Sequence, residues 1–173
     1  MNYIFSAIFL YFFLGFLLYI FQRRIVFNKS GHPGAPKDYN LDNTEEVYIK
    51  TEDNLKLLSW YHKGNNSLPL IVYFHGNSFH IGDRAYRIQR YIEKNWSVLL
   101  VSWRGFGGNK GNPTEKNLYK DAEAVLKWIK NNTEFKFKEL VIYGESLGSG
   151  AAVEMGTKYK FLSIVLEAPF TSI

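Results

Sequence analysis

Residues 139–158 read ELVIYGESLGSGAAVEMGTK. A short apolar run ends at Gly144, and a stretch of small residues starts at Leu147, so a strand must turn sharply into a helix between them. The turn is Gly144-Glu145-Ser146-Leu147-Gly148, a Gly-x-Ser-x-Gly. In a strand–turn–helix setting this pattern exposes a serine hydroxyl on a strained backbone. Gly144 and Gly148 keep side chains out of the space where strand and helix crowd together, and Gly150, Ala151 and Ala152 let the helix pack close. The N–H of Leu147 then lies at a helix N-terminus, where it can stabilise an oxyanion. A tight strand–helix turn with an incidental Ser is the rival reading. Nucleotide binding fails on spacing: residues 144–150 hold no Lys for a Gly-Lys-Ser/Thr loop, and G-x-G-x-x-G is not matched.

Upstream, strand and helix signals alternate. EVYIKT (46–51) and LKLLSWYH (55–62) flank the turn residues TEDN and read as a hairpin. LPLIVYFHG (68–76), SVLLVSW (97–103) and LSIVLEA (162–168) are continuous apolar runs, the pattern of strands buried on both faces. RAYRIQRYIEKN (84–95) spaces its apolar residues as a helix does. A further helix follows Thr114, which can cap it, with an apolar stripe of Leu118, Ala122, Val125 and Ile129. Buried strands alternating with amphipathic helices predict an α/β fold, a mostly parallel sheet covered on both faces.

Residues 3–21, YIFSAIFLYFFLGFLLYIF, form a different segment, without a charge or a polar face. At ~1.5 Å per residue they span roughly 28 Å, the hydrocarbon thickness of a bilayer. A cleavable signal peptide would want a charged start, a shorter apolar stretch and a small-residue cleavage site, and none is evident. Arg23, Arg24 and Lys29 flank the far end, so the positive-inside bias places the soluble part in the cytoplasm. Residues 1–29 are therefore read as a transmembrane anchor with a basic flank. Residues 30–44, which contain SGHPGAPKDYN, are read as a linker, and 45–173 as one α/β domain. The net charge of +5 is spread without a basic stripe, which argues against nucleic acid and suits a mild attraction to anionic lipid. With no cysteine, thiolate chemistry, disulfides and Cys-based zinc sites are excluded, and no metal or organic cofactor is implied.

Four stretches, YFHGNSFHIGDR (73–84), VSWRGFGGNKGNPTE (101–115), VIYGESLGSGAAVE (141–154) and VLEAPFTSI (165–173), resemble successive motifs of the α/β-hydrolases. The similarity is greatest to the membrane-anchored α/β-hydrolase-domain proteins, which are similar to serine aminopeptidases. The resemblance implies Ser146 as nucleophile, the N–H groups of Asn77 and Leu147 as oxyanion hole, the His75-Gly76 turn as its support, and residues 104–107 as a structural rim. That family usually carries Asp and Ser where this chain has Ser102 and Asn109. It implies an acyl ester or amide as substrate, and a chain order of Ser, then acid, then His.

The 27 residues after Ser146 hold no His and no Asp. His32, His62, His75 and His80 all lie upstream, in a linker, at a strand end, in the oxyanion turn and at a helix start. Glu167 is a weak candidate acid. The reading is therefore a C-terminally truncated hydrolase domain, weakly active or inactive, with the run at 162–168 left as an apolar sheet edge. Two alternatives stand beside it: a non-catalytic binding or scaffold protein held at the membrane, and half of a split hydrolase whose Asp and His come from a separate chain.

Overall fold

The computed structural model describes residues 2–29 and 31–171. Helix α1 (Asn2–Val26) holds a stretch, Tyr3–Gln22, long and apolar enough to cross a membrane, with none of it buried against the rest of the chain. It runs several residues past the expected end, through Arg23 and Arg24. The side chains of Arg23, Arg24 and Lys29 lie outside the described residues, as do Ser30, Ser172 and Ile173 altogether.

Six strands form one mixed sheet: β1 (Thr44–Lys50), β2 (Lys56–His62), β3 (Leu70–Phe74), β4 (Ser97–Val101), β5 (Leu140–Glu145) and β6 (Ser163–Glu167). Their spatial order is β1-β2-β4-β3-β5-β6. The hairpin pairs β1 with β2 antiparallel, from Thr44↔His62 to Lys50↔Lys56, and β2 meets β4 antiparallel. The β4, β3, β5 and β6 pairings are all parallel.

Every residue of β3 and β4 is buried, as their unbroken apolar runs require. Alternate side chains feed two cores. Leu70, Val72 and Phe74 join Leu99, Val101 and Ile142 beneath α3 (Glu115–Asn132) and α4 (Leu147–Lys158). Ile71, Tyr73, Val98 and Leu100 face α2 (Ala85–Ile92) on the opposite side, with Trp60. The capping expected of Thr114 is present, its Oγ1 accepting from the Asn117 N–H at 3.2 Å.

Strand β6 is the exposed border. Ile164, Val165 and Leu166 are 38%, 39% and 39% exposed, in contrast to the central strands. At the other end of the domain chain, residues 31–41 are laid onto the protein rather than strung away from it. Pro36 and Leu41 are buried, and the Tyr39 ring packs against Trp60 with centroids 5.4 Å apart. Just before them, Phe27 enters the larger core, and Asn28–Lys29 pairs in parallel with Ser78–Phe79.

Candidate active site

Ser146 sits between β5 and α4 with φ +46° and ψ −111°, a conformation that costs a non-glycine residue about 1–3 kcal/mol. Neighbouring bonds hold it there. The Ser146 N–H donates to the Glu167 carbonyl at 2.8 Å, and the Ser146 carbonyl accepts from the Ser149 N–H at 2.8 Å and its hydroxyl at 2.6 Å. A Cβ on Gly148 would run into the Phe74 carbonyl, and one on Gly144 would stand 2.7 Å from the Gly148 carbonyl. Only glycines let α4 start this close to β3 and β5. Leu147 opens the helix, where a backbone N–H has no intrahelical acceptor.

The turn after β3 lies against this elbow. A Cβ on Gly76 would be 3.4 Å from Ser146 Cβ and 3.1 Å from Glu145 Oε1, so backbone passes the serine at contact distance, and Asn77 follows directly. His75 is buried and fixes the turn from inside. Its Nδ1–H donates to the Gly76 carbonyl at 2.6 Å, its Nε2 accepts from the Trp103 N–H at 3.4 Å, and the Trp103 indole donates to the His75 carbonyl at 2.8 Å. Burial, assisted by the Arg84 charge, pulls the imidazole pKa down to about 4. Both ring nitrogens are thus committed to backbone, and the ring is neutral near pH 7.

Arg84 joins the two loops. Its Nε and one terminal nitrogen fork onto Glu145 at 3.1 and 2.8 Å, and the other donates to the Ser78 carbonyl at 2.7 Å. Glu145 immediately precedes Ser146, and Ser78 immediately follows Asn77. One guanidinium therefore sets the spacing between both proposed oxyanion donors, by charge-assisted bonds that are short and directional. Tyr73 adds a third bond to Glu145, at 3.0 Å. Burial raises the Glu145 pKa, but the Arg84 bonds and charge outweigh it and leave the carboxyl below its usual value. Nothing in HIGDR marks Arg84 as more than a surface residue, because its partner Glu145 lies 61 positions away along the chain.

The remaining candidates are engaged elsewhere. Glu167 accepts from Arg87 at 2.6 Å and from the Tyr143 hydroxyl at 2.6 Å, and Arg87 holds its pKa below normal. His32 Nδ1 accepts from the Gly34 N–H, His62 Nδ1 lies 3.3 Å from Thr44 Oγ1, and His80 Nδ1 lies 2.9 Å from Asp83. In the expected rim, Arg104 is buried between Asp121 (2.6 Å) and Asp53 (2.7 Å). Asn109, one of the two departures, accepts from the Leu58 N–H at 2.8 Å and donates to the Ser102 carbonyl at 3.0 Å, so it locks the loop to β2. Among the described residues, no group of three or more His, Asp or Glu could hold a metal ion.

A mixed sheet flanked on both faces, with a positive-φ serine between its fifth strand and the following helix, defines an α/β-hydrolase. The same class is found among solved structures: an esterase of Pyrococcus furiosus superposes with a TM-score of 0.62 at 28% identity, covering 73% of this chain and 51% of that one. The chain belongs to the serine aminopeptidase S33 family, which matches residues 66–173. An uncharacterized membrane protein of Saccharomyces cerevisiae is 30% identical over 90% of this chain and 57% of its own length. A lysophosphatidylserine lipase of Danio rerio is 29% identical over 80% of this chain and 42% of its own. The chain spans a little over half the length of the first curated relatives it matches.

Proposed function

We propose that this chain is the nucleophile-bearing part of a membrane-held serine hydrolase, with Ser146 attacking an acyl carbonyl and the Asn77 and Leu147 N–H groups receiving the oxyanion. The observation that carries the reading is the backbone at Ser146, a strained positive φ beside a glycine turn at contact distance. Attack forms a tetrahedral intermediate, expulsion of the alcohol or amine leaves an acyl-serine, and water releases the acid. The lipase among the relatives supports an acyl ester of a lipid as the substrate class. Length and composition of α1 support anchoring, and Arg23, Arg24 and Lys29 support a cytoplasmic soluble part.

The acid and the imidazole base come, in this reading, from polypeptide outside these residues. His32, His62 and His75 are bonded elsewhere and His80 Nδ1 lies 2.9 Å from the Asp83 carboxylate, while β6 offers an apolar border on which further strands of the same or a second chain can pair. Without a base, acylation falls by about 10⁴- to 10⁶-fold. A small external base tests this directly. The chain in detergent, treated with a fluorophosphonate, is expected to label at Ser146 negligibly alone and about tenfold or more faster with imidazole added, as general-base catalysis would supply. Ser146→Ala should abolish the increment. An imidazole response that persists in Ser146→Ala, or no response at all, defeats the nucleophile assignment; fast labelling without imidazole shows that the chain carries its own base.

A further inference from the structure

The two-residue pairing of Asn28–Lys29 with Ser78–Phe79 puts the membrane segment and the oxyanion turn into one structural unit. The apolar span ends at Gln22, α1 ends at Val26, and Asn28 is already hydrogen bonded alongside Ser78. Four helical residues advance roughly 6 Å and two extended ones roughly 7 Å. Adding one inter-strand spacing of ~4.8 Å, Ser78 stands within roughly 18 Å of the last membrane residue. Headgroups alone occupy about 5–7 Å on each side of a bilayer. Covalent geometry leaves little room between the lipid surface and the turn that flanks Ser146.

The contacts that follow tighten this. A Cβ on Gly31 would meet the His80 ring at 3.2 Å, one on Gly107 would meet Pro33 at 3.5 Å, and one on Gly108 would meet the His32 ring at 3.0 Å. The chain leaving α1 therefore crosses the carboxyl ends of β3 and β4 before it reaches the hairpin. That is the end of the sheet at which Ser146 lies. Three aromatic side chains stand exposed there: Phe79 at 51%, Tyr86 in the first turn of α2 at 61%, and Phe170 after β6 at 37%. Phe79 is also held at φ +62°, a strained conformation for an aromatic residue. Phe79 pairs with Lys29, three residues past the end of α1, and exposed aromatics near a membrane segment are the side chains that settle at the water–lipid boundary.

We propose that the domain docks on the bilayer with the carboxyl ends of its strands facing the lipid, Phe79, Tyr86 and Phe170 forming the contact, so that the end of the sheet that carries Ser146 faces the membrane surface. The juxtamembrane segment is then part of the site: it sets the orientation of the sheet end and braces the turn at Ser78, the residue whose carbonyl Arg84 also holds. The inference rests on α1 being a membrane anchor, as proposed above, and adds an orientation to it. An acyl ester lying in the outer part of the leaflet would reach the serine without crossing bulk water.

The absence of cysteine makes the test direct. Phe79→Cys and Tyr86→Cys each place one reporter thiol at the proposed contact, and Ser67→Cys, in the exposed turn before β3, places one at the opposite end of the sheet. Each full-length variant is labelled with a small fluorophore and reconstituted in phosphatidylcholine vesicles carrying a headgroup-level nitroxide lipid. Quenching at least threefold stronger at residue 79 or 86 than at residue 67 is expected. Equal quenching, or stronger quenching at Ser67→Cys, overturns the orientation while leaving the anchor intact. Release of the chain from vesicles by alkaline carbonate defeats the anchor itself, and the orientation with it. Two independent reporters at the contact guard against one substitution disturbing its loop.

Discussion

His75 shows how a single buried ring couples the site to pH. Its unfolded-state pKa of 6.5 falls to about 4 on folding, so the unfolded chain binds a proton that the folded chain refuses. The stability this neutral ring confers is complete above pH 6.5 and is lost as pH falls from 6.5 towards 4, by an amount on the order of 3 kcal/mol. Burial lowers the His62 pKa too, so wild type alone cannot assign the loss. The informative comparison is with His75→Gln. Thermal unfolding between pH 7.5 and 4.5 should show a shallower acid loss in that variant, by up to one proton's slope. Identical slopes would mean that the ring protonates without penalty.

The turn from β5 into α4 is where element geometry is decided by glycine. A methyl group at Gly148 meets the Phe74 carbonyl, which is backbone and cannot swing away, whereas one at Gly150 meets only the Phe170 ring at 3.3 Å. Gly148→Ala is expected to destabilise the domain by about 3 kcal/mol, a melting decrease of roughly 6–12 °C, with Gly150→Ala much milder. Melting curves of the two variants check this; equal effects would show that α4 can shift off β3. The same elements show what sequence can and cannot reveal. The strands were legible because period and burial travel together: LIVYF is apolar throughout and lies wholly in the interior. The serine turn was legible because its glycines have a steric cause. Arg84 was not, since a lone arginine reveals its partner only when β3 and β5 are set side by side. Nor was the Asn28↔Ser78 pairing, because two residues fifty apart leave no periodicity to read. Residues 30–44, a linker by composition, carry Pro36 and Leu41 into the interior, because a few apolar side chains suffice to fasten a Gly- and Pro-rich segment.

Across the whole molecule, the contrast is between a sealed centre and an open border. Strands β3 and β4 are buried on both faces, while β6 leaves Ile164, Val165 and Leu166 more than a third exposed beside Leu162 at 55%. An uncovered apolar edge invites pairing with another chain. Val165→Lys is expected to at least halve the aggregated fraction of detergent-solubilised protein, measured by size-exclusion chromatography, since a charge on such a strand acts as a gatekeeper. An unchanged profile would place self-association elsewhere, at α1 above all. The border also reaches inward. Because the Ser146 amide is tied to the Glu167 carbonyl, the serine is latched to the outermost strand of the sheet. Whatever peels that strand away slackens the cradle of the proposed nucleophile, and whatever zips onto its open side stiffens it, so assembly and the proposed chemistry share one hinge pin.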